Sequence, residues 1–343
     1  MAKKILLIAV AVFFLLSSAG LVSAAQWANP GLLVNAETVA KNITRPNWVV
    51  VDCRDLKKYV KGHIPGAISL GKRCKKALRD STARVWRNTS KYEKLFGKAG
   101  IGNNTHVVFY HGGIKDFPDA TVAFWVMEYL GHKKVHVLNG GIDAWRSAGH
   151  RLDKKPVRKA PKTFTAKVNH KLYASTDEIL KIAKGKIKNE QLIDSRTHKE
   201  YIGKDCRAIR CGHVPNVITN VSHLDTVVRK ADSKKKLQPT GYLSPDVLAK
   251  KFGKLNKNKR TIAYCQTGTR STLTYLELRL MGFKNPANWD DSWRVWGTHY
   301  ADYPVEAPNG EQFYNFAKVN KTLKKLKKKV AKLEKALKGK GKK

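Results

Sequence analysis

A chain of 343 residues exceeds one ordinary hydrophobic core and points to two domains of about 150 residues each. Its 42% hydrophobic and 27% charged content is that of a globular protein and excludes a fibrous or wholly disordered chain. Sixty-seven Lys and Arg against 26 Asp and Glu leave a net charge of +41, which governs solubility and attraction for anions, not fold.

In chain order, the first segment stands apart. Lys3 and Lys4 precede an apolar run over 5–16, and the small-residue stretch SSAGLVSAA follows, so residues 1–25 read as an export signal cleaved after Ala24 or Ala25. The competing reading is an uncleaved anchor, because residues 5–25 are barely long enough to span a bilayer. Export, with the periplasm as the expected destination, makes the five cysteines an arithmetic problem. Cys53 and Cys74 lie in the first half, Cys206 and Cys211 in the second, and Cys265 is left over. Two bridges with one free thiol is the simplest partition, and four reduced structural cysteines stay open beside it. No C-x2-C pair exists and no histidines sit at ligand spacing near Cys206 and Cys211, so neither a metal nor a cofactor is expected.

Short β-branched runs over 49–52, 107–110 and 135–138 read as buried strands, as do 192–194 and 261–264, with helix-like segments between them. Strands buried on both faces and separated by helices imply a parallel sheet in an α/β layer fold. Between the halves, HRLDKKPVRKAPKTF is rich in Pro and Lys without periodicity and reads as a linker. The expected organisation is a first domain over 26–150, a linker over 151–163, a second domain over 164–305 and a tail over 306–343.

The halves repeat each other. NWVVVDCRDLKKYVKGHIPGAISL, from Asn47, matches EQLIDSRTHKEYIGKDCRAIRCGHVPNVITNV, from Glu190, in an apolar run ending in Asp-x-Arg, a charged turn with tyrosine, and Gly-His-Ile/Val-Pro. THVVFYHGG matches RTIAYCQTG and sets His111 opposite Cys265, while NGGIDAW matches DDSWRVW. Four landmarks in one order, twice, imply two copies of one fold. Together with the strand ending in Cys-x-x-Gly-x-Arg, these motifs resemble the tandem rhodanese-type sulfurtransferases over about residues 30 to 305. The resemblance implies two rhodanese-like domains with parallel sheets, the first degenerate and the second catalytic.

A strand, a short loop and a helix at the carboxyl edge of such a sheet gather backbone N–H groups around one point and make an anion site. Cys265 at its start is expected to be an acidic, nucleophilic thiol. Gln266, Thr267, Gly268, Thr269 and Arg270 are the candidate binding residues: Gly268 permits a left-handed turn, Arg270 adds a cation, and the three polar side chains are unsuited to a core. Leu273, Leu276, Leu280 and Met281 recur at helical spacing and Gly282 is placed to end that helix. The implied reaction is a two-step sulfur transfer from a small anionic donor, thiosulfate first, to a thiol or cyanide through a Cys265 persulfide. Four residues separate Cys265 from Arg270, against five in the related loop of dual-specificity phosphatases, and the narrower cradle favours sulfur over phosphate chemistry. Thiosulfate-specific members often carry a basic residue one or two places after the cysteine, and mercaptopyruvate-specific members Gly-Ser-Gly; Gln266 and Thr267 match neither. Relatives of the mammalian thiosulfate enzyme also have an arginine where this chain has Glu200. The second function class is a rhodanese fold used for binding or scaffolding without turnover.

Asp194 and Arg196, like Asp52 and Arg54, are expected to tie strand ends to neighbouring loops, and His63 and His213 are expected to be structural. Trp289, Trp293 and Trp296 pack by default, with Trp293 near the pocket by family analogy. Arg207 and Arg210 either draw in anions or are solvated. From 318 to 343, thirteen lysines face a single acid, Glu334. Val319, Leu323, Leu326, Val330, Leu333 and Leu337, spaced 4, 3, 4, 3, 4, form a heptad stripe whose charged flanks would repel an identical copy. An acidic protein or an anionic membrane surface suits this tail better, nucleic acid is not the expected partner, and a frayed soluble tail is the plainer alternative.

Overall fold

The computed structural model describes residues 26–228, 240–298, 303–307 and 314–340. The expected export signal, 1–25, lies outside the described residues. The first copy holds β1 (Leu33–Val34), α1 (Ala36–Asn42), β2 (Trp48–Asp52), α2 (Leu56–Lys61), β3 (Ile68–Ser69), α3 (Cys74–Ala77), α4 (Ser90–Lys98), β4 (His106–Tyr110), α5 (Phe117–Tyr129), β5 (Val135–Leu138) and α6 (Gly141–Ser147). The second holds α7 (Thr176–Ala183), β6 (Glu190–Asp194), α8 (His198–Tyr201), β7 (Val217–Asn220), α9 (Pro245–Lys251), β8 (Arg260–Tyr264), α10 (Ser271–Leu280), β9 (Asn285–Asn288) and α11 (Ser292–Trp296), and α12 (Phe316–Lys340) follows.

Both sheets are parallel, ordered β1-β5-β4-β2-β3 and β7-β6-β8-β9. Reversing the second gives β9-β8-β6-β7, which superposes in order on β5-β4-β2-β3, so the sequence repeat is a repeat of topology. The register agrees as well: Asp52 lies opposite Tyr110, and Asp194 opposite Tyr264. The central strands are buried along nearly their whole length because helices cover both faces, which is why they read as unbroken apolar runs and not as alternating ones.

One polar network braces each copy. Arg54 chelates Asp52 at 2.6–3.1 Å and donates to Gly62 O at 2.7 Å; Arg196 chelates Asp194 at 2.6–3.1 Å and donates to Gly212 O at 2.7 Å. His63 stacks on Tyr59 and holds its carbonyl, as His213 does with Tyr201. Burying these charges is tolerable because each guanidinium meets a carboxylate and a carbonyl through Nε and Nη2.

The cysteines left open by the sequence pair as Cys53–Cys74 and Cys206–Cys211, with Cα–Cα distances of 4.8 and 5.0 Å, and Cys265 stays a free, buried thiol. The first bridge ties the end of β2 to α3. The second closes the insertion that distinguishes the second copy. Arg210, in that insertion, is neither solvated nor open to anions: its guanidinium is buried and donates to Tyr303 O at 2.6 Å and to Trp296 O. The residues between the domains lie along the first copy, with Lys162 N–H donating to Gly97 O at 3.0 Å. The tail holds helix α12, and its stripe Leu323, Leu326, Val330, Leu333 and Leu337 is exposed, so no other part of the described chain covers it. Among the described residues no helix is long and apolar enough to cross a membrane.

The domains meet through α5 and α10, the helices that follow the two equivalent loops. Tyr275 and Arg279 of α10 both bind Glu128, with Tyr275 Oη at 2.6 Å, and Arg79 of the first copy forms a fully buried ion pair with Asp290 of the second at 2.8 Å.

Candidate active site

Cys265 follows directly on β8, at the carboxyl edge of its sheet, and α10 begins six residues later. The intervening loop is fastened to the start of α11. Ser292 Oγ accepts from Cys265 N–H at 3.2 Å and Gly268 N–H at 3.0 Å while donating to Trp289 O at 2.6 Å. Trp293 N–H and Arg294 N–H then cap the carbonyls of Cys265 and Gln266 at 3.0 and 2.8 Å. Reaching these partners puts Ser292 in the left-handed region, φ 52°, at a cost of about 1–3 kcal/mol that three hydrogen bonds offset. Gly268 is also left-handed, φ +66°, and a Cβ there would lie 2.5 Å from Asp290 O, so this turn admits only glycine. The Gly268 N–H is engaged by Ser292 Oγ.

The chemistry converges on the thiol. Burial pushes the Cys265 thiol up, but the Arg270 charge, the N–H groups of Thr267 and Ser271 and the Ser271 hydroxyl outweigh it, leaving the thiol more acidic than an ordinary cysteine. Ser271 Oγ stands 3.6 Å from Sγ and 2.6 Å from Asn288 Oδ1. A hydroxyl has one proton to give. At these distances the shorter contact, to Asn288 Oδ1, is the stronger claim on that proton. Asn288 cannot flip, since its Nδ2 donates to Gly268 O at 3.2 Å.

Arg270 is not an open cation. Its guanidinium holds the Glu200 carboxylate end-on, Nη1–Oε2 2.6 Å and Nη2–Oε1 2.7 Å. Glu200 also accepts from Thr197 N–H and hydroxyl in a capping box on α8. Burial pushes the Glu200 carboxyl up, the Arg270 pair overrides it, and the group settles at about 2. Asp194 and Arg196 lie behind this pair, the guanidinium 4.4 Å from the Trp293 ring centroid, so Trp293 is a buried floor for Arg196 and does not line the cleft.

Above the loop is a cleft of about 1490 Å³ lined by Gln266, Thr267, Thr269 and Arg270 from the second copy and by the 71–79 segment of the first. Cys265 itself is fully buried. Gln266, despite its polarity, is only 8% exposed, and its Oε1 has no partner among the described residues. His223 lines the same cleft; burial pushes it down to about 4, and its Nδ1 donates to Ser195 O at 3.1 Å, leaving Nε2 as an acceptor.

Several contributors escaped the sequence reading. Arg79 reaches across the domain boundary to Thr267 O at 3.2 Å and Thr269 Oγ1 at 2.7 Å, so the first copy helps hold the loop that follows Cys265. Nothing in its sequence neighbourhood marks that role. Ser292 did carry a signal: it aligns with Gly141, which is left-handed at φ +58°, and a serine in a glycine position needs a reason. Asn288 and Ser271 carried none.

The geometry describes a duplicated α/β protein with one free, buried thiol at the edge of its second sheet. The Rhodanese-like domain model matches residues 35–148 and 177–299, and the chain belongs to the tandem-domain rhodanese-type sulfurtransferase family. It is 31% identical over 283 residues to a Saccharopolyspora erythraea protein provisionally named thiosulfate sulfurtransferase, covering 81% of this chain and 96% of that one. With the thiosulfate sulfurtransferase of Corynebacterium glutamicum it shares 29% identity over 312 residues, 86% and 96% of the two chains. Among solved structures, the anaerobic ergothioneine biosynthesis enzyme of Chlorobium limicola matches with a TM-score of 0.71 at 22% identity, over 82% of this chain and 72% of that one, a likeness of fold.

Proposed function

We propose that Cys265 takes a sulfane sulfur from an anionic donor, holds it as a persulfide and passes it to a thiol or to cyanide. The observation that carries this reading is the acidic Cys265 thiol at the head of a glycine-turned loop. With thiosulfate, the donor named for the relatives, the thiolate bonds to the outer sulfur as the S–S bond to sulfite breaks, and sulfite leaves with the electron pair. Cyanide or a thiolate then bonds to the terminal sulfur and the Cys265 thiolate is regenerated, so no net oxidant is consumed. Sulfite departs as an anion, and the step needs no proton donor. The two disulfides support an oxidising compartment and so export, which cell fractionation tests directly. Incubating the protein with a sulfane donor and cyanide should yield thiocyanate, and Cys265→Ser should yield none. Turnover by Cys265→Ser, or its absence in wild type with several donors, would overturn the proposal.

A further inference from the structure

The cations around the thiol are arranged against a small dianion. In thiosulfate the negative charge lies one bond from the attacked sulfur and must settle beside the loop. The guanidinium in the loop and the one that reaches it from the first copy are already neutralised: Arg270 by Glu200, and Arg79 by Asp290. Arg207 stands 3.5 Å from the same Glu200 carboxylate. A dianion entering there must share Arg270 with a fixed carboxylate and meets its repulsion at short range.

The cations without a carboxylate partner lie elsewhere. Lys72, Lys76 and Lys115 line the cleft from the first domain, are exposed, and meet no carboxylate within ion-pair distance among the described residues. Arg73 and Lys75, between them, are engaged by Asp116 and Asp119. The Cys53–Cys74 bridge fixes the segment that carries Lys72 and Lys76. The cleft they line, about 1490 Å³, exceeds the roughly 300–1,000 Å³ typical of small-ligand sites and far exceeds the needs of thiosulfate, with its two sulfurs and three oxygens.

We infer that the preferred donor is an organic hydropersulfide whose anionic groups lie away from its sulfane sulfur, held by Lys72 and Lys76, and that Glu200 is the residue that selects it over thiosulfate. The inference rests on the sulfur-transfer reading above. In the loading step the Cys265 thiolate bonds to the terminal sulfur of R–S–SH, the donor's S–S bond breaks, and R–S⁻ leaves with the electron pair while the proton stays on the new Cys265 persulfide. Atoms and charge balance without a further reactant. Arg270, tied to Glu200, remains a positioning group for the thiolate, and the donor's carboxylates bind on the opposite wall, contributed by the copy that has no cysteine at its own loop.

The test is the second-order rate of Cys265 persulfide formation in the full chain, followed by intact mass, with thiosulfate and with glutathione hydropersulfide, a tripeptide donor bearing two remote carboxylates. Wild type should load from the hydropersulfide about tenfold faster or more at low salt, with a steep fall as salt rises. Glu200→Gln keeps the capping box, because glutamine serves there too, and should raise the thiosulfate rate about tenfold by removing a buried like charge. The Lys72→Ala/Lys76→Ala double variant should lower the hydropersulfide rate about tenfold and flatten its salt dependence. Because each variant is judged by the ratio of its two donor rates, a partly folded preparation does not mimic the effect. A wild-type preference for thiosulfate, or Glu200→Gln shifting both donors by one factor, would overturn the inference and leave the Cys265 reading standing. Failure of both donors to load wild-type Cys265 would overturn that reading as well.

Discussion

The loops at Cys265 and His111 have the same length and the same place in the same topology, and they differ in polarity. Both follow a central strand, both precede a long buried helix by six residues, and the backbone N–H of the facing helix caps each first carbonyl, from Trp293 and Ile142. In the first copy the loop ends in Asp116, which pairs with Lys58 at 2.6 Å; in the second it ends in Arg270, which pairs with Glu200 at 2.6 Å. Lys58 and Glu200 each stand four residues after the arginine of Asp-x-Arg. Duplication has kept the ion pair as architecture and reversed its sign. Only the second orientation sets a cation beside a position where a thiolate forms. His111 occupies the other position as a neutral imidazole, pushed down to about 3 by burial and stacked on Phe117 at 4.0 Å.

If sign and hydroxyls make the difference, a thiol alone should not convert the first loop. Placing His111→Cys in a Cys265→Ser background should recover less than about a thousandth of wild-type persulfide loading, because Asp116 and Gly141 replace Arg270 and Ser292. Substantial recovery, read by intact mass, would break the comparison.

The next largest effect belongs to the domain boundary. Arg79→Ala leaves Asp290 buried and unpaired and should cost about 3–5 kcal/mol of stability in denaturant unfolding, with loss of loading through the released loop. Glu277 sharpens the contrast between α10 and α5, since it sits where α5 has Ala123. Burial pushes its carboxyl up to about 8, and the Thr226 hydroxyl offsets only part of that rise. With a folded value above the unfolded one, its protonated form favours the fold at acid pH, and that contribution is lost as pH rises from about 4.5 through about 8. Glu277→Gln should therefore stabilise by about 1–3 kcal/mol at pH 8 and little at pH 5, read from unfolding at both values.

Smaller still, Ser271→Ala removes one donor to the thiolate. The midpoint of the loading rate against pH should move up by about one unit, so the rate at acid pH falls while the alkaline plateau holds. Removing residues 318–343 should leave loading unchanged, since the described side chains of that segment are exposed apart from half-buried Val319 and the fastening of the tail through Asn315 to Cys206 O and Ile209 O remains.

Much of the fold was legible because duplication prints each motif twice. Strands over 49–52, 107–110, 135–138, 192–194 and 261–264 all appear, since strands buried on both faces leave apolar runs. The edge strands left no such trace: β7 is half exposed and β9 is Asn-Pro-Ala-Asn, set by pairing to β8 and not by propensity. At the candidate site, the free thiol of Cys265 and the left-handed turn at Gly268 were legible because both follow from local sequence. The partners were not. Glu200 and Arg270 are 70 residues apart and Arg79 and Asp290 211 apart, and no local pattern pairs charges at such separations.

In the proposed reaction, one of two equivalent loops carries the sulfur. Intact mass of the full chain after exposure to a sulfane donor, followed by peptide mapping, tests it most directly. The prediction is a gain of one sulfur atom at Cys265, reversed by cyanide and absent in Cys265→Ser. A sulfur that maps elsewhere, or persists in Cys265→Ser, would contradict it.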